Sequence, residues 1–546
     1  MGEHQDMTDT TTPGLLDRAR TVAGPGYNRW LLPPAALAIH LCIGMAYGLS
    51  VFWLPLSKAI GIDAPAACPA GTGFLQLLTT TSCDWKVSDV TWVFTLGIVF
   101  LGASAALWGG WLERAGPRKA GVAAALCWCG GLLGAALGVY LHQLWIVLLG
   151  GGVLGGVGLG LGYISPVSTL VKWFPDRRGM ATGMAIMGFG GGAMIGSPLA
   201  NLLMGHFRTS GSVGVWQTFV VLAVIYFVFM MGGAFGYRVP PEGWAPAGWT
   251  PSVKARSLVA TGAVHLKNAH KTPQFWLIWG VLCLNVSAGI GVLALASPML
   301  QEIFGGRLIG RPDLAFTELD PDQLKAIAAI AAGFTGLLSL FNIAGRFFWA
   351  SLSDRIGRKV TYFCFFGLGV VLYALAPTLA HLGSMALFVA AFGVILSMYG
   401  GGFATVPAYL ADVFGTQFVG AIHGRLLTAW STAGVVGPVV VGYVREAQIA
   451  AGVPRAQVYD RTMYILAAML VGGLICNALV RPVADKWLMS PQELEALKPG
   501  SAPMATAASA APAGLDAKVV LAWLAVGLPI AWGVWMTLKA ALVLFR

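Results

Sequence analysis

Long apolar runs separated by short polar turns set the pattern of this chain. The runs lie at about 30–56, 90–110, 120–141, 144–171, 180–204, 215–236, 275–299, 327–351, 361–379, 384–410, 425–444, 462–480 and 519–543. Each is close to the roughly 20 residues that an α-helix needs to cross the hydrocarbon core of a bilayer. They group as six, six and one. A polar, proline-rich segment at 238–274 (Pro240, Pro241, Pro246, Pro251) parts spans 6 and 7, and an Ala/Pro/Ser-rich stretch, 499–514, precedes the last span. The pattern predicts an all-α polytopic membrane protein. Its parts are a polar tail (1–28), two six-helix bundles (29–237 and 275–482) joined by the linker 238–274, a second linker (483–517), and an additional transmembrane helix (518–546).

Composition agrees with lipid as the solvent. Only 10% of the 546 residues are charged, 57% are hydrophobic, and the mean hydropathy is +0.74. A soluble domain carries about 25% charged residues. The 73 glycines fit helices that approach one another closely. The net charge of +11 resides in short loops rather than in one face or tail, which argues against nucleic acid. With the N-terminus inside, 22 of the 34 Lys and Arg residues fall on the cytoplasmic side and 9 on the other. That bias follows the positive-inside rule and places the C-terminus outside. Residues 1–28 show no short apolar run with a small-residue cleavage site, so they read as a cytoplasmic tail.

The two halves echo each other. Leu112-Glu113-Arg114-Ala115-Gly116-Pro117-Arg118-Lys119 follows span 2, and Leu352-Ser353-Asp354-Arg355-Ile356-Gly357-Arg358-Lys359 follows span 8. Each is a tight turn that sets an acid among basic residues at helix ends. Glu113, Arg114, Arg118, Asp354, Arg355 and Arg358 are therefore candidate gating residues. Gly196-Ser197-Pro198 in span 5 and Gly437-Pro438 in span 11 form a second pair of echoes. Repeated halves of this kind are the architecture of alternating-access carriers.

None of the 23 Asp and Glu residues falls well inside a span, whereas Arg346 does. It lies eight residues before Asp354, about 12 Å into span 8 at 1.5 Å per residue. A buried guanidinium is costly, stays charged and offers a planar fork matching a carboxylate. With no buried acid to pair with, Arg346 points to an anionic substrate, with Asn342 one turn away in the same candidate site; the alternative is a structural arginine hydrogen-bonded to backbone carbonyls or to Asn342. His40 in span 1 is a candidate proton carrier.

Three runs resemble signatures of the oxalate/formate antiporter family of the major facilitator superfamily, which is related to the monocarboxylate transporters. They are Trp173-Phe174-Pro175-Asp176-Arg177-Arg178-Gly179, Lys271-Thr272-Pro273-Gln274-Phe275-Trp276, and Asn342 to Arg346 with Ser353-Asp354-Arg355-Ile356-Gly357-Arg358. The resemblance covers about 30–482 and implies a major facilitator fold with a central cavity, in a bacterial inner membrane. It also implies that a dicarboxylate would be held by two cations, an arginine in span 8 and a lysine in span 11. The arginine carries over to Arg346. The lysine does not, because aligning Phe414-Gly415-Thr416 puts Trp430 at its position. Cavity aromatics carry over to Tyr47, Tyr163, Tyr399 and Phe403. One buried cation balances a monoanion and leaves a dianion with an uncompensated charge. The expected substrate is therefore a monocarboxylate of the formate, lactate or pyruvate type, moved by anion exchange or proton symport. An oxalate:formate antiporter is the alternative, and a transporter-like carboxylate sensor is the alternative of another class.

Outside the twelve-helix pattern, Cys68 and Cys83 share a polar outer loop and form a candidate disulfide. The segment 300–326, with Glu302, Asp313, Glu318, Asp320 and Asp322, reads as a long loop. The last helix either packs on one half or meets another membrane protein. Nothing in the spans has the clustering of catalytic groups or the ligand spacing of a metal site, so neither an enzyme nor a cofactor is expected.

Overall fold

The computed structural model describes residues 14–62, 66–69, 71–85, 87–90, 92–241, 243–246, 262–496 and 516–545. The start of the N-terminal tail and most of both linkers lie outside the described residues. Among the described residues thirteen long helices follow in chain order: α1 (Arg29–Leu49), α2 (Trp92–Ala115), α3 (Pro117–Tyr140), α4 (Leu144–Trp173), α5 (Arg178–Phe207), α6 (Val215–Gly236), α7 (Pro273–Phe304), α8 (Pro321–Ile356), α9 (Arg358–His381), α10 (Met385–Phe414), α11 (Val419–Ala450), α12 (Asp460–Leu479) and α13 (Ala517–Ala541). Twelve of them contain stretches long and apolar enough to cross a membrane; α8, which carries Arg346, is the other. Among the described residues there is no strand, only isolated bridges such as Val22 with Val239.

Several helices run further than their apolar runs. α8 starts at Pro321, where Asp320 accepts from the Gln323 N–H and Gln323 returns a bond to the Asp320 N–H, a reciprocal cap that lets a polar first turn be helical. α7 reaches Phe304, so Glu302 belongs to its last turn rather than to a solvated loop, and it is 4% exposed. Burial is possible because Arg445 grips both carboxylate oxygens while Arg455 and Tyr459 donate to the same group. α11 begins at Val419, six residues before its apolar run, and breaks at Leu427.

Two departures from regular helix lie in the first bundle. Gly44–Phe52 is a 3₁₀ stretch that carries Tyr47, and Leu148–Leu154 in α4 is π-helical around three consecutive glycines. Such stretches often mark functional hinges.

The α2–α3 and α8–α9 connections occupy one face of the bundle, called here the turn face. Gly116 (φ +89°) and Gly357 (φ +91°) make the two turns, a backbone region that side chains rarely adopt. Matching the glycines sets Glu113 beside Asp354 and Arg114 beside Arg355, each acid three residues before its glycine. On the same face, Asp176 forms a two-bond ion pair with Arg29 (2.7 and 3.0 Å). Trp173 packs on Tyr27 and Trp244 while its indole N–H donates to the Arg238 carbonyl. The Trp173–Asp176 run thus clamps the N-terminal segment and the chain after α6 to the end of α4.

The opposite face carries a disulfide between Cys68 and Cys83. Beside it the Asp84 carboxylate accepts backbone N–H bonds from Ile60, Gly61 and Ala66.

α13 packs on the chain itself. The Trp523 indole donates to the Trp30 carbonyl (3.2 Å), and Val526 is buried against Leu37 and Ala38 of α1. Gly533 faces Met194 and Ile195 of α5, and Thr537 faces Gly336 of α8. The helix therefore touches both halves rather than one, and it lies over the seam between α5 and α8. Its outer side, with Leu521, Leu528 and Trp535, stays exposed.

Candidate substrate site

Glycines bring α5, α8 and α10 close together at Arg346. A Cβ on Gly345 would overlap the Ser397 backbone on α10, and one on Gly183 would crowd the Arg346 carbonyl from α5. Close approach buries Arg346 completely. Its Nε donates to Asn342 Oδ1 (2.9 Å) and its Nη1 to the Ile186 carbonyl on α5 (3.0 Å). The guanidinium carbon lies 5.4 Å from the Phe403 ring centre and 5.9 Å from that of Phe189, within reach of cation–π attraction. Nη2 has no hydrogen-bond partner among the described residues.

Around this cation the predicted aromatics converge from four helices. Trp430 is fully buried and packs on Phe403 (4.4 Å between ring centres), Tyr163 (5.2 Å), Phe189 (5.3 Å) and Tyr47 (6.3 Å). The Tyr47 and Tyr399 hydroxyls meet at 3.0 Å, across the two halves. Two oxygens sharing one bond leave one hydroxyl hydrogen free to donate elsewhere. The Tyr163 hydroxyl and the Trp430 indole nitrogen are buried without partners among the described residues. An unpaired buried polar group costs about 1–3 kcal/mol. Here such groups gather at one place, and all of them can donate. No ion pair among the described residues joins Arg346 to a carboxylate, and no cluster with metal-binding potential occurs among them.

The gating candidates separate into engaged and exposed groups. Asp354 accepts the Met180 N–H at the start of α5 (3.0 Å) and pairs with Arg358 (2.6 Å). One carboxylate of the second half thus holds the N-terminus of a helix of the first, where the helix dipole favours negative charge. Arg358 also donates to Ser353 Oγ (2.6 Å) and lies 3.4 Å from Asp412. The related Glu113 pairs with Lys172 (2.7 Å), and its other oxygen lies against Gly420 in the first turn of α11. Arg118 donates to the Leu15 carbonyl (2.9 Å) and rests over Phe235. Arg114 and Arg355 are exposed. His40 is buried with its ring 5.4 Å from Tyr163.

Phe189, the Ile186 carbonyl, the Met180 N–H and His423 were not foreseen from sequence. Phe189 stands alone among glycines at 188 and 190–192, a setting that signals close packing and gives no hint of the ring's direction. His423, whose ring lies 5.8 Å from Tyr163, precedes the apolar run of span 11, where the hydropathy pattern marks no span.

Two helical halves closed around one guanidinium and a ring of neutral donors make a membrane carrier of small solutes. Residues 36–438 match the Major Facilitator Superfamily, and the chain belongs to that superfamily. The oxalate:formate antiporter of Oxalobacter formigenes is 28% identical over 284 residues, 52% of this chain and 59% of that protein, less than two thirds of its length. Apicoplast pyruvate carrier 1 of Toxoplasma gondii is 25% identical over 450 residues, 71% of this chain and 78% of that protein. Among solved structures, a proton:xylose symporter superposes with a TM-score of 0.54 at 15% identity, covering 86% of this chain and 98% of that one. An outward-facing bacterial homologue of the iron transporter ferroportin gives 0.53 at 15% identity, covering 83% and 99%. At those identities the structures show the fold alone. Its relatives and its fold are those of membrane transporters rather than enzymes.

Proposed function

We propose that the protein moves small monocarboxylates of the formate, lactate or pyruvate type across a bacterial inner membrane by alternating access. The turn face is cytoplasmic in this reading, with the C-terminus on the other side. The observation that carries the proposal is the set of buried donors without partners: Arg346 Nη2, Tyr163 OH and Trp430 Nε1. All three can donate to an acceptor, two of them can do nothing else, and a single cation selects one negative charge. Trp430 stands where a second cation would be needed for oxalate, and its indole offers a hydrogen bond but no charge.

Loaded, the Arg346–carboxylate pair is neutral and the aromatic walls can close on it. Empty, the same closure buries an uncompensated guanidinium, which is several kcal/mol worse. The substrate's preference for the closed state drives the change between faces. Exchange follows when the empty carrier returns slowly, and symport follows when a proton accompanies the anion.

The test is uptake of labelled formate, lactate, pyruvate and oxalate into proteoliposomes preloaded with each acid, for the parent and Arg346→Gln. A monocarboxylate should exchange, and the variant should lose about 100-fold or more, the scale set by the roughly 3–5 kcal/mol of a broken buried pair. Oxalate exchanging best would refute the single-charge argument. Binding without exchange would instead identify a sensor.

A further inference from the structure

On the face opposite the turn face, the end of α7, the loop that follows it and the α11–α12 connection surround a cavity of about 550 Å³. Small-molecule sites commonly hold about 300–1,000 Å³. The cavity shares no lining residue with the Arg346 site, and its walls are fixed by backbone bonds. Gly305 turns the chain at the end of α7 (φ +46°), the Gly306 N–H donates to the Leu314 carbonyl (3.1 Å), and the Arg311 N–H donates to that of Gly306 (2.8 Å). Across the cavity Gly452 (φ +77°) reverses the chain, and the Val453 N–H closes that turn on the Gln448 carbonyl (3.1 Å). Phe304, Leu314, Phe316, Ile449 and Val453 supply the apolar part of the wall.

The charged part of the wall is unevenly engaged. Glu302 accepts two bonds from Arg445, one from Arg455 and one from Tyr459, which fills the four lone-pair sites of a carboxylate. Asp313 is held by Arg311 (3.1 and 3.3 Å), and Glu318 accepts the Ala315 N–H (2.8 Å). Arg455 differs. Among the described residues it donates to Glu302 alone (3.1 Å), and a guanidinium has five N–H groups to give. Arg445 by itself meets both oxygens of Glu302 and balances its charge, so Arg455 is a second cation on one carboxylate. The cluster therefore presents a net positive charge to the cavity. Arg307 adds to it, lining the same cavity with its guanidinium over Gly383 of the α9–α10 turn. A cation entering here meets acids that are already engaged, whereas an anion meets donors with nothing else to bind.

We propose that this cavity is a second ligand site, for a soluble organic anion with a carboxylate head and an alkyl or aryl body. The carboxylate takes the remaining N–H groups of Arg455, sharing that guanidinium with Glu302, and the body lies against Phe304, Phe316 and Ile449. A formate-sized acid would leave most of the volume unfilled, so the ligand is larger than the small acids proposed for the Arg346 site. Because the two sites have no residue in common, either can exist without the other. A bound anion joins the end of α7 to the α11–α12 connection where Glu302 already ties them, so ligand and ion-pair network stiffen the same junction.

The experiment is photolabelling of the purified full-length protein in nanodiscs of zwitterionic lipid, with a diazirine-bearing benzoate as the probe. Mass spectrometry should find label on peptides covering 302–318 or 449–456, separate from any label around Arg346. Excess phenylbutyrate should remove most of that label, and phenylbutanol, its uncharged counterpart, should leave most of it in place. In Arg455→Gln, where Arg445 and Tyr459 still hold Glu302, the same label should fall at least about tenfold, the loss expected for a hydrogen bond to a charged group. Three results in the parent overturn the proposal whether or not the variant folds. Absence of label on both peptides is one, and equal protection by the acid and the alcohol is another, since it describes an apolar hollow without anion selection. The third is protection by added phosphatidylglycerol but not by phenylbutyrate, which would make the cavity a lipid headgroup site. Undiminished label in a folded Arg455→Gln protein overturns it as well.

Discussion

Replacing Asp354 by Asn tests whether the carboxylate at the start of α5 holds the turn face closed. Asparagine keeps an oxygen that can accept the Met180 N–H, so the main loss is the charge. A carboxylate at a helix N-terminus contributes about 0.3–1 kcal/mol when exposed and up to about 2 kcal/mol when partly buried. The Asp354 side chain is 20% exposed, which puts the expected loss at about 1–2 kcal/mol. Arg358 is not orphaned by the change, because Ser353 and Asp412 still face it. A loss of that size shifts the ratio of separated to joined halves by about 5- to 30-fold. Arg114 and Arg355 are exposed on opposite halves, so cysteines there can carry spin labels in a background without free thiols. Pulsed distance measurements should then show the longer distance gaining population in the Asp354→Asn protein. Distance distributions that superimpose for parent and variant, both folded and both exchanging, would refute the reasoning.

Two further outcomes follow from other parts of the structure. His142, between α3 and α4, donates its Nε2–H to the Cys83 carbonyl (2.8 Å) and stacks on Trp85 at 4.1 Å. Burial pulls its pKa below the ordinary 6.5, against smaller upward effects from the Cys83 carbonyl and Asp84. A folded-state value below the unfolded one means that the unfolded loop binds more protons. The stabilisation is therefore complete above about pH 6.5 and declines as pH falls from there through the folded value. Limited proteolysis of the loop near the Cys68–Cys83 disulfide should be faster at pH 5 than at pH 7.5, and His142→Gln should flatten that difference. Separately, a Cβ on Gly336 would lie 3.8 Å from the Thr537 Cβ, within the usual disulfide range of about 3.5–4.5 Å. Cysteines at 336 and 537 should tie α13 to α8, and cysteines at 195 and 533 should tie it to α5. If one contact of α13 breaks in each cycle, one of these tethers arrests exchange and the other is silent; two silent tethers would show that neither contact breaks.

The fold was legible because the lipid solvent forces it. Runs of about 20 apolar residues have few alternatives in a membrane, and Arg346 drew attention as a charge where charges are costly. Helix ends were less legible, because they lie in polar surroundings where capping and ion pairing decide. The reciprocal cap at Asp320 and Gln323 lengthened α8 beyond its apolar run. The paired arginines on Glu302 drew an acid into α7 that sequence assigns to a loop. The same cause hid His423, since α11 begins where polar residues still alternate with small ones. Partnerships across the halves were not legible at all. Tyr47 with Tyr399, Arg346 with Ile186 and Asp354 with Met180 join residues more than 150 positions apart, and no local pattern records them.

Those partnerships make the site and the gate one mechanical object. Met180 and Ile186 lie on α5, and each is bound to a residue of α8, one to Asp354 and the other to Arg346. α5 cannot leave α8 at the turn face without losing both bonds, each to a charged group and each contributing about 1.5–3 kcal/mol. Releasing the Ile186 carbonyl alone would also strip a buried guanidinium of one of its two acceptors. On the proposed function, a carboxylate bound there would offer that guanidinium a stronger acceptor and so lower the cost of parting the seam where that cost is concentrated. α13 lies over the same seam and touches both of its helices. Under that proposal substrate would act on the seam from inside and the added helix from outside, so changes in α13 should alter turnover before they alter affinity.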